Sequence, residues 1–150
     1  MPRLGKIVYV DFMDLILDRK EILADLHKIS AHFGVKLSAP EIVASTDDDN
    51  DKIHLMLQAT LMELLNLLLP YAALQQSGDV VTFVLKMPSN WKTGRADNLT
   101  ALCRDYLLHS LFARWLDFVK SDSAVLYRTL NSNTAAAIVH ILSLREKPTR

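Results

Sequence analysis

Asp11 and Asp14 close the apolar run KIVYVDF, and a strand that delivers a nucleophilic aspartate to a phosphoryl group ends in this way. That chemistry needs two carboxylates two positions apart, whereas these lie three apart, so the pair lacks its second acid. The run Asp47, Asp48, Asp49, Asn50, Asp51 presents oxygen ligands at the density of a calcium loop. Lys52, however, stands where such a loop needs glycine for its turn, and Gln58 stands where a bidentate glutamate would close it. An acidic helix N-terminus accounts for the same residues. The five histidines, His27, His32, His54, His109 and His140, form no HExxH motif and no i, i+4 pair, so zinc has no local support. Asp14, Asp18, Glu21 and Asp25, with Asp11, read as a solvated acidic face. Trp91 is different: Lys86, Lys92 and Arg95 cluster around it in a stretch rich in Pro, Ser, Asn and Gly. Tryptophan and arginine are favoured at binding hot spots, and base stacking flanked by cations is the competing use. The other reading folds Trp91 back over the core, where large aromatics usually lie.

Composition narrows the class of protein that must position these residues. The 150 residues fit one domain, large enough for a core without metal or disulfide support. Seventeen basic against seventeen acidic residues leave no global charge to attract nucleic acid. The single cysteine, Cys103, excludes an intramolecular disulfide and a multi-cysteine zinc site, and reads as a small buried hydrophobe. Four apolar residues before Asp11 are too few for a secretory segment. The most apolar tract, 53–74, is interrupted by His54, Gln58, Glu63, Asn66 and Pro70, which predicts no membrane span. A soluble, cytoplasmic protein is the expectation.

The elements follow from periodicity. Residues 6–12 are β-branched and aromatic enough for a short strand, with the start of a helix as the alternative. Leu15, Ile22, Leu23, Leu26, Ile29 and Phe33 predict a helix over 14–33, ended by Gly34 at C′. Residues 35–44 read as a connector made extended by Pro40, after which Ser45 or Thr46 caps a second helix with an acidic first turn. That helix runs to Pro70. A polar break over 75–79 precedes a strand in which Val81, Phe83, Leu85 and Met87 share one face. The longest unbroken helical pattern, 98–120, is the central helix. Ala101, Leu108, Leu111, Phe112, Trp115 and Val119 form its core stripe, and His109, Ser110, Arg114, Asp117 and Lys120 its outer side. Its first half carries Leu99, Leu102, Cys103 and Tyr106 opposite that stripe and needs cover on both sides. The cover is either a partner, docking on Trp91, Lys92, Arg95, Leu102 and Tyr106, or the second helix and the strand of the same chain. A short gap at 121–123 makes the last helix an antiparallel neighbour of the central one, with Tyr127, Leu130, Ala137, Ile138, Ile141 and Leu144 buried.

The predicted fold is therefore mainly α: one domain over residues 1–150, a bundle of about four principal helices with one or two short strands. The order of helix, Gly34, acidic-capped helix, strand, exposed loop and paired C-terminal helices, with Ala113-Arg114-Trp115-Leu116 in the central helix and a basic REKPTR end, resembles a group of proteins. These are uncharacterised small helical proteins of bacterial prophage-like gene clusters and, more distantly, phage head–tail connector or adaptor proteins. The resemblance implies a structural subunit that assembles into a ring and enters a virion, with no catalytic residues to carry over. The expectation is a non-enzymatic assembly protein without cofactor or metal, a homo-oligomer or a partner of other assembly proteins, and no membrane contact. A nucleic-acid-binding or regulatory module using the Trp91 loop is the alternative.

Overall fold

The computed structural model describes residues 9–91 and 93–145. Strand β1 (Tyr9–Asp18) leads directly into helix α1 (Arg19–Lys36), followed by the one-turn helix α2 (Pro40–Val43) and α3 (Asn50–Leu68). A hairpin of β2 (Ala72–Ser77) and β3 (Val80–Pro88) comes next, then α4 (Ala96–Val119) and α5 (Ala124–Ser143). The fold is mainly α, four long helices with a small antiparallel sheet in the order β1-β3-β2.

Alternation builds the sheet. Val81, Phe83, Leu85 and Met87 are buried on one face of β3, and Leu15 and Leu17 of β1 stand opposite Phe83 and Val81 on the same face. This corrects the start of the first helix, because Leu15 belongs to a period of two with Leu17 and not to a helical stripe. The exposed side chains of Asp14 and Ile16 complete that period. Asp18 caps α1 instead, its carboxylate accepting from the Lys20 N–H at 2.8 Å. The part of the predicted first strand before Tyr9 lies outside the described residues. A third strand, β2, runs into the predicted polar break and takes up Gln75, Gln76 and Ser77 of it. Its two-residue connection to β3 relies on Gly78, whose φ of +58° only glycine adopts without strain.

Gly34 does not end α1. It lies inside the helix, buried, where a Cβ would come within 3.0 Å of the Pro40 Cα, so its role is the close approach of α2. Pro40 opens that helical turn at N1 rather than extending the chain. Thr46, not Ser45, starts the acidic entry to α3: Asp49 accepts from the Thr46 N–H at 2.9 Å across a single 3-10 turn.

Helix α4 is central, touching α1, α2, α3 and α5, and packing most extensively on α5. Leu111, Phe112 and Trp115 are buried as their stripe predicts, with the Trp115 indole donating to the Val43 carbonyl at 2.6 Å. Ala101, placed on the same stripe, is exposed. Tyr127 of α5 packs edge-on against Phe112 at 4.7 Å, and Arg128 pairs with Asp117, so the last two helices run antiparallel as expected. Ile138, Ile141 and Leu142 seal the far end, whereas Leu130 faces solvent. Asn131, Ser132 and Asn133 do not interrupt α5. No helix among the described residues is long and apolar enough to cross a membrane.

Candidate functional site

The β2–β3 register decides which backbone groups of β2 are spent. The Lys86 N–H donates to the Tyr71 carbonyl at 2.8 Å, and with Ala73 opposite Val84, Gln75 opposite Thr82 and Ser77 opposite Val80, these odd positions form the hydrogen-bonded pairs. The N–H and C=O groups of Ala72, Leu74 and Gln76 then point away from β3 along an open edge, and among the described residues no hydrogen bond reaches them. From residue 69 to residue 78 the chain carries no charge, and β2 contains no proline or bulge, the devices that usually blunt an edge. Arg19 fixes the neighbour of this edge by donating to both Gln76 and Gln58 of α3. Leu55, Met62 and Leu69 lie within about 60° of Gln58 on the helical wheel, at 100° per residue. They are 77%, 44% and 51% exposed. An unpaired strand edge thus runs beside an apolar helix flank.

A second site lies between α3, α4 and α5, in a groove of about 390 Å³. Glu63 of α3 is its hub: its carboxylate accepts from the Ser110 hydroxyl at 3.0 Å and the Tyr106 hydroxyl at 3.3 Å, and pairs with Arg114. The Asp117–Arg128 pair closes the other end. Burial pushes the Tyr106 phenol above its ordinary pKa, which keeps it a hydrogen-bond donor. Sequence reasoning assigned Ser110, Arg114 and Asp117 to a solvent face; Ser110 is in fact buried and Arg114 half-buried beneath α5. The signal was present in the spacing of Tyr106, Ser110, Ala113, Arg114 and Asp117, which places small and polar residues on one helix face.

A third cluster has the composition of a hydrolytic site. His27 lies 2.6 Å through Nδ1 from the Ser45 hydroxyl and 3.0 Å through Nε2 from Asn50 Oδ1, with Asp47 at 3.6 Å. Both ring nitrogens of His27 thus have a polar partner, Ser45 at one and Asn50 at the other. Ser45 is 5% exposed and does not line the cavity beside His27. Its N–H and hydroxyl are held against Ser30 (2.9 and 3.0 Å), and the Ser30 hydroxyl lies 3.1 Å from the His27 carbonyl it donates to. The cluster is a buried staple between α1 and the entry to α3. Eighteen residues separate Ser45 from His27, so no local motif announces it.

The residues expected to meet a partner are mostly turned inward. Trp91 is 2% exposed, and its indole N–H donates to the Ile141 carbonyl at 2.9 Å, tying the end of β3 to the end of α5. The exposed anchor is therefore corrected to a core residue, because the end of α5 offers an apolar seat with a carbonyl acceptor within reach of the indole. Tyr106 is buried on Glu63, and Leu99 and Cys103 are buried as well. Leu102 is half-buried against the core. Arg95 is exposed on a 3-10 turn before α4, and Lys92 lies outside the described residues. The cover that α4 requires comes from its own chain. No known protein family, curated protein or solved structure matches this sequence.

Proposed function

We propose that the protein is a non-enzymatic assembly subunit in which a second copy adds to the open edge of β2. The observation that carries this reading is the row of unpaired backbone groups at Ala72, Leu74 and Gln76, in an uncharged strand flanked by exposed Leu55, Met62 and Leu69. Antiparallel pairing of β2 with β2 of the second copy about a two-fold axis satisfies the same groups on both chains and brings both apolar flanks into cover. A connector-like ring inside a virion is the finer form of this proposal and requires head-to-tail contacts that close by rotation. A role in the cytoplasm belongs to the same proposal. Base stacking at Trp91 has lost its aromatic to the core.

Light scattering after size exclusion, across a micromolar concentration series, tests the reading. A two-fold pair has twice the 16.9 kDa mass of the chain, and a ring has a higher multiple. Gln76→Pro removes an outward N–H without touching the β3 ladder, and Ala73→Lys puts a charge on the edge; both should give folded monomers. A wild-type monomer at every concentration, or an oligomer that both folded variants preserve, refutes the proposal.

A further inference from the structure

We propose that the outer edge of β1, with the groove between β1, α1 and α4 beside it, binds an extended basic segment of another protein as an added strand. In the order β1-β3-β2, β1 is the other edge of the sheet, and its pairing with β3 is unbroken from Asp11 to Asp18. The Arg19 N–H donates to the Asp79 carbonyl at 2.8 Å, so along this register Leu17 with Val81 and Leu15 with Phe83 are the hydrogen-bonded pairs. The N–H and C=O groups of Asp14 and Ile16 then point away from β3, and among the described residues no hydrogen bond reaches them.

A groove of about 180 Å³ opens beside the end of this edge. Its apolar lining, Ile22, Leu107 and Leu108, is buried or half-buried, whereas Glu21, Asp25 and Asp105 stand exposed around it. With Asp18, the lining holds four carboxylates against one guanidinium, Arg104, and none of the five is in an ion pair among the described residues. The two cations at the start of α1 are engaged elsewhere, Arg19 with Gln58 and Gln76 and Lys20 with Asp79. Charge therefore names the occupant. A second β1 laid antiparallel over residues 14–18 sets carboxylate beside carboxylate, which disfavours self-pairing. The side chains of an added strand alternate between the two faces of the sheet. On the helix side they meet Glu21, Asp25 and Asp105 next to Ile22 and Leu108, and on the other side Asp14 next to Ile16. Both faces thus suit lysine or arginine, which have apolar stems and charged heads, while the backbone supplies the ladder.

The test is a titration of the full chain with an end-capped octapeptide of alternating lysine and valine, read by hydrogen exchange of the Asp14 and Ile16 amides. The same peptide N-methylated throughout, its glutamate and valine counterpart, and spermine serve as comparison probes. The basic peptide should bind saturably and slow exchange at both amides about tenfold or more. The methylated peptide and spermine, which keep positive charge without backbone donors, should slow neither. Glu21→Gln combined with Asp25→Asn should weaken the basic peptide about fivefold, a factor of two to three for each exposed ion pair. Ile16→Pro removes an outward N–H without touching the β3 ladder and should abolish the protection of Asp14; should that variant unfold, the methylated peptide gives the same reading on the unaltered chain. Equal protection by the methylated peptide, the acidic peptide or spermine overturns the proposal. So does protection of Leu74 and Gln76 in place of Asp14 and Ile16, no saturation, or undiminished binding in the folded carboxamide variant.

Discussion

Replacing Trp91 by alanine separates a core tryptophan from a partner anchor. The indole is 2% exposed, so truncation removes nearly all of a large aromatic from the interior and leaves a cavity between β3 and α5. Such truncations cost about 3–5 kcal/mol. Within that sum, the indole hydrogen bond contributes about 1 kcal/mol, because the Ile141 carbonyl keeps a second donor, the Leu144 N–H at 3.2 Å. Trp91→Phe retains most of the apolar burial and loses the bond and part of the ring, so it should cost roughly 1–2 kcal/mol. Urea unfolding at two protein concentrations reads both values, with an unchanged m-value confirming a stability effect. Trp91 also bridges to Arg145 along the backbone, so the alanine variant should speed amide exchange over the last turn of α5. A loss below about 1 kcal/mol for Trp91→Ala, or a loss seen only as a drop in oligomer mass, would refute a core role and return Trp91 to an interface.

Two further outcomes are expected. Asp49→Ala should destabilise by about 0.5–2 kcal/mol in thermal unfolding, since it removes the acceptor of the Thr46 N–H, and added calcium should leave the wild-type Tm unchanged; a calcium-dependent rise would restore a metal loop. Burial raises the Cys103 thiol from 9.0 to about 12, so between those values the unfolded chain has lost a proton that the folded chain keeps. The contribution of this group to stability is therefore constant below pH 9 and falls above it, by up to about 1.4 kcal/mol per pH unit. Tyr106 and Tyr127, also raised by burial, add the same sign above pH 10. Cys103→Ala should flatten the decline between pH 9 and 10 in urea titrations, and an unchanged slope would contradict the assignment.

The long helices and β3 were legible because their information is local. The stripe through Leu111, Phe112 and Trp115 and the alternation of Val81, Phe83, Leu85 and Met87 each repeat at the period of the element they form. The acidic entry to α3 was legible for the same reason, since a cap and its acceptor lie three residues apart. Residues 14–18 were not, because Leu15 fits a helical stripe and a strand equally well until β3 supplies its partner. β2 was hidden likewise: AALQQS has little strand propensity, and only pairing with β3 makes it a strand. Which face of α4 meets solvent depended on where α3 and α5 dock, and this turned Ser110 and Arg114 inward and brought Glu63 to them across 47 and 51 residues of sequence. The sequence by itself determined the four long helices over most of their length and the buried face of β3. Tertiary structure alone decided that Trp91 is buried, that β2 keeps an open edge, and that a polar groove forms between three helices, because each depends on contacts between residues far apart in the chain.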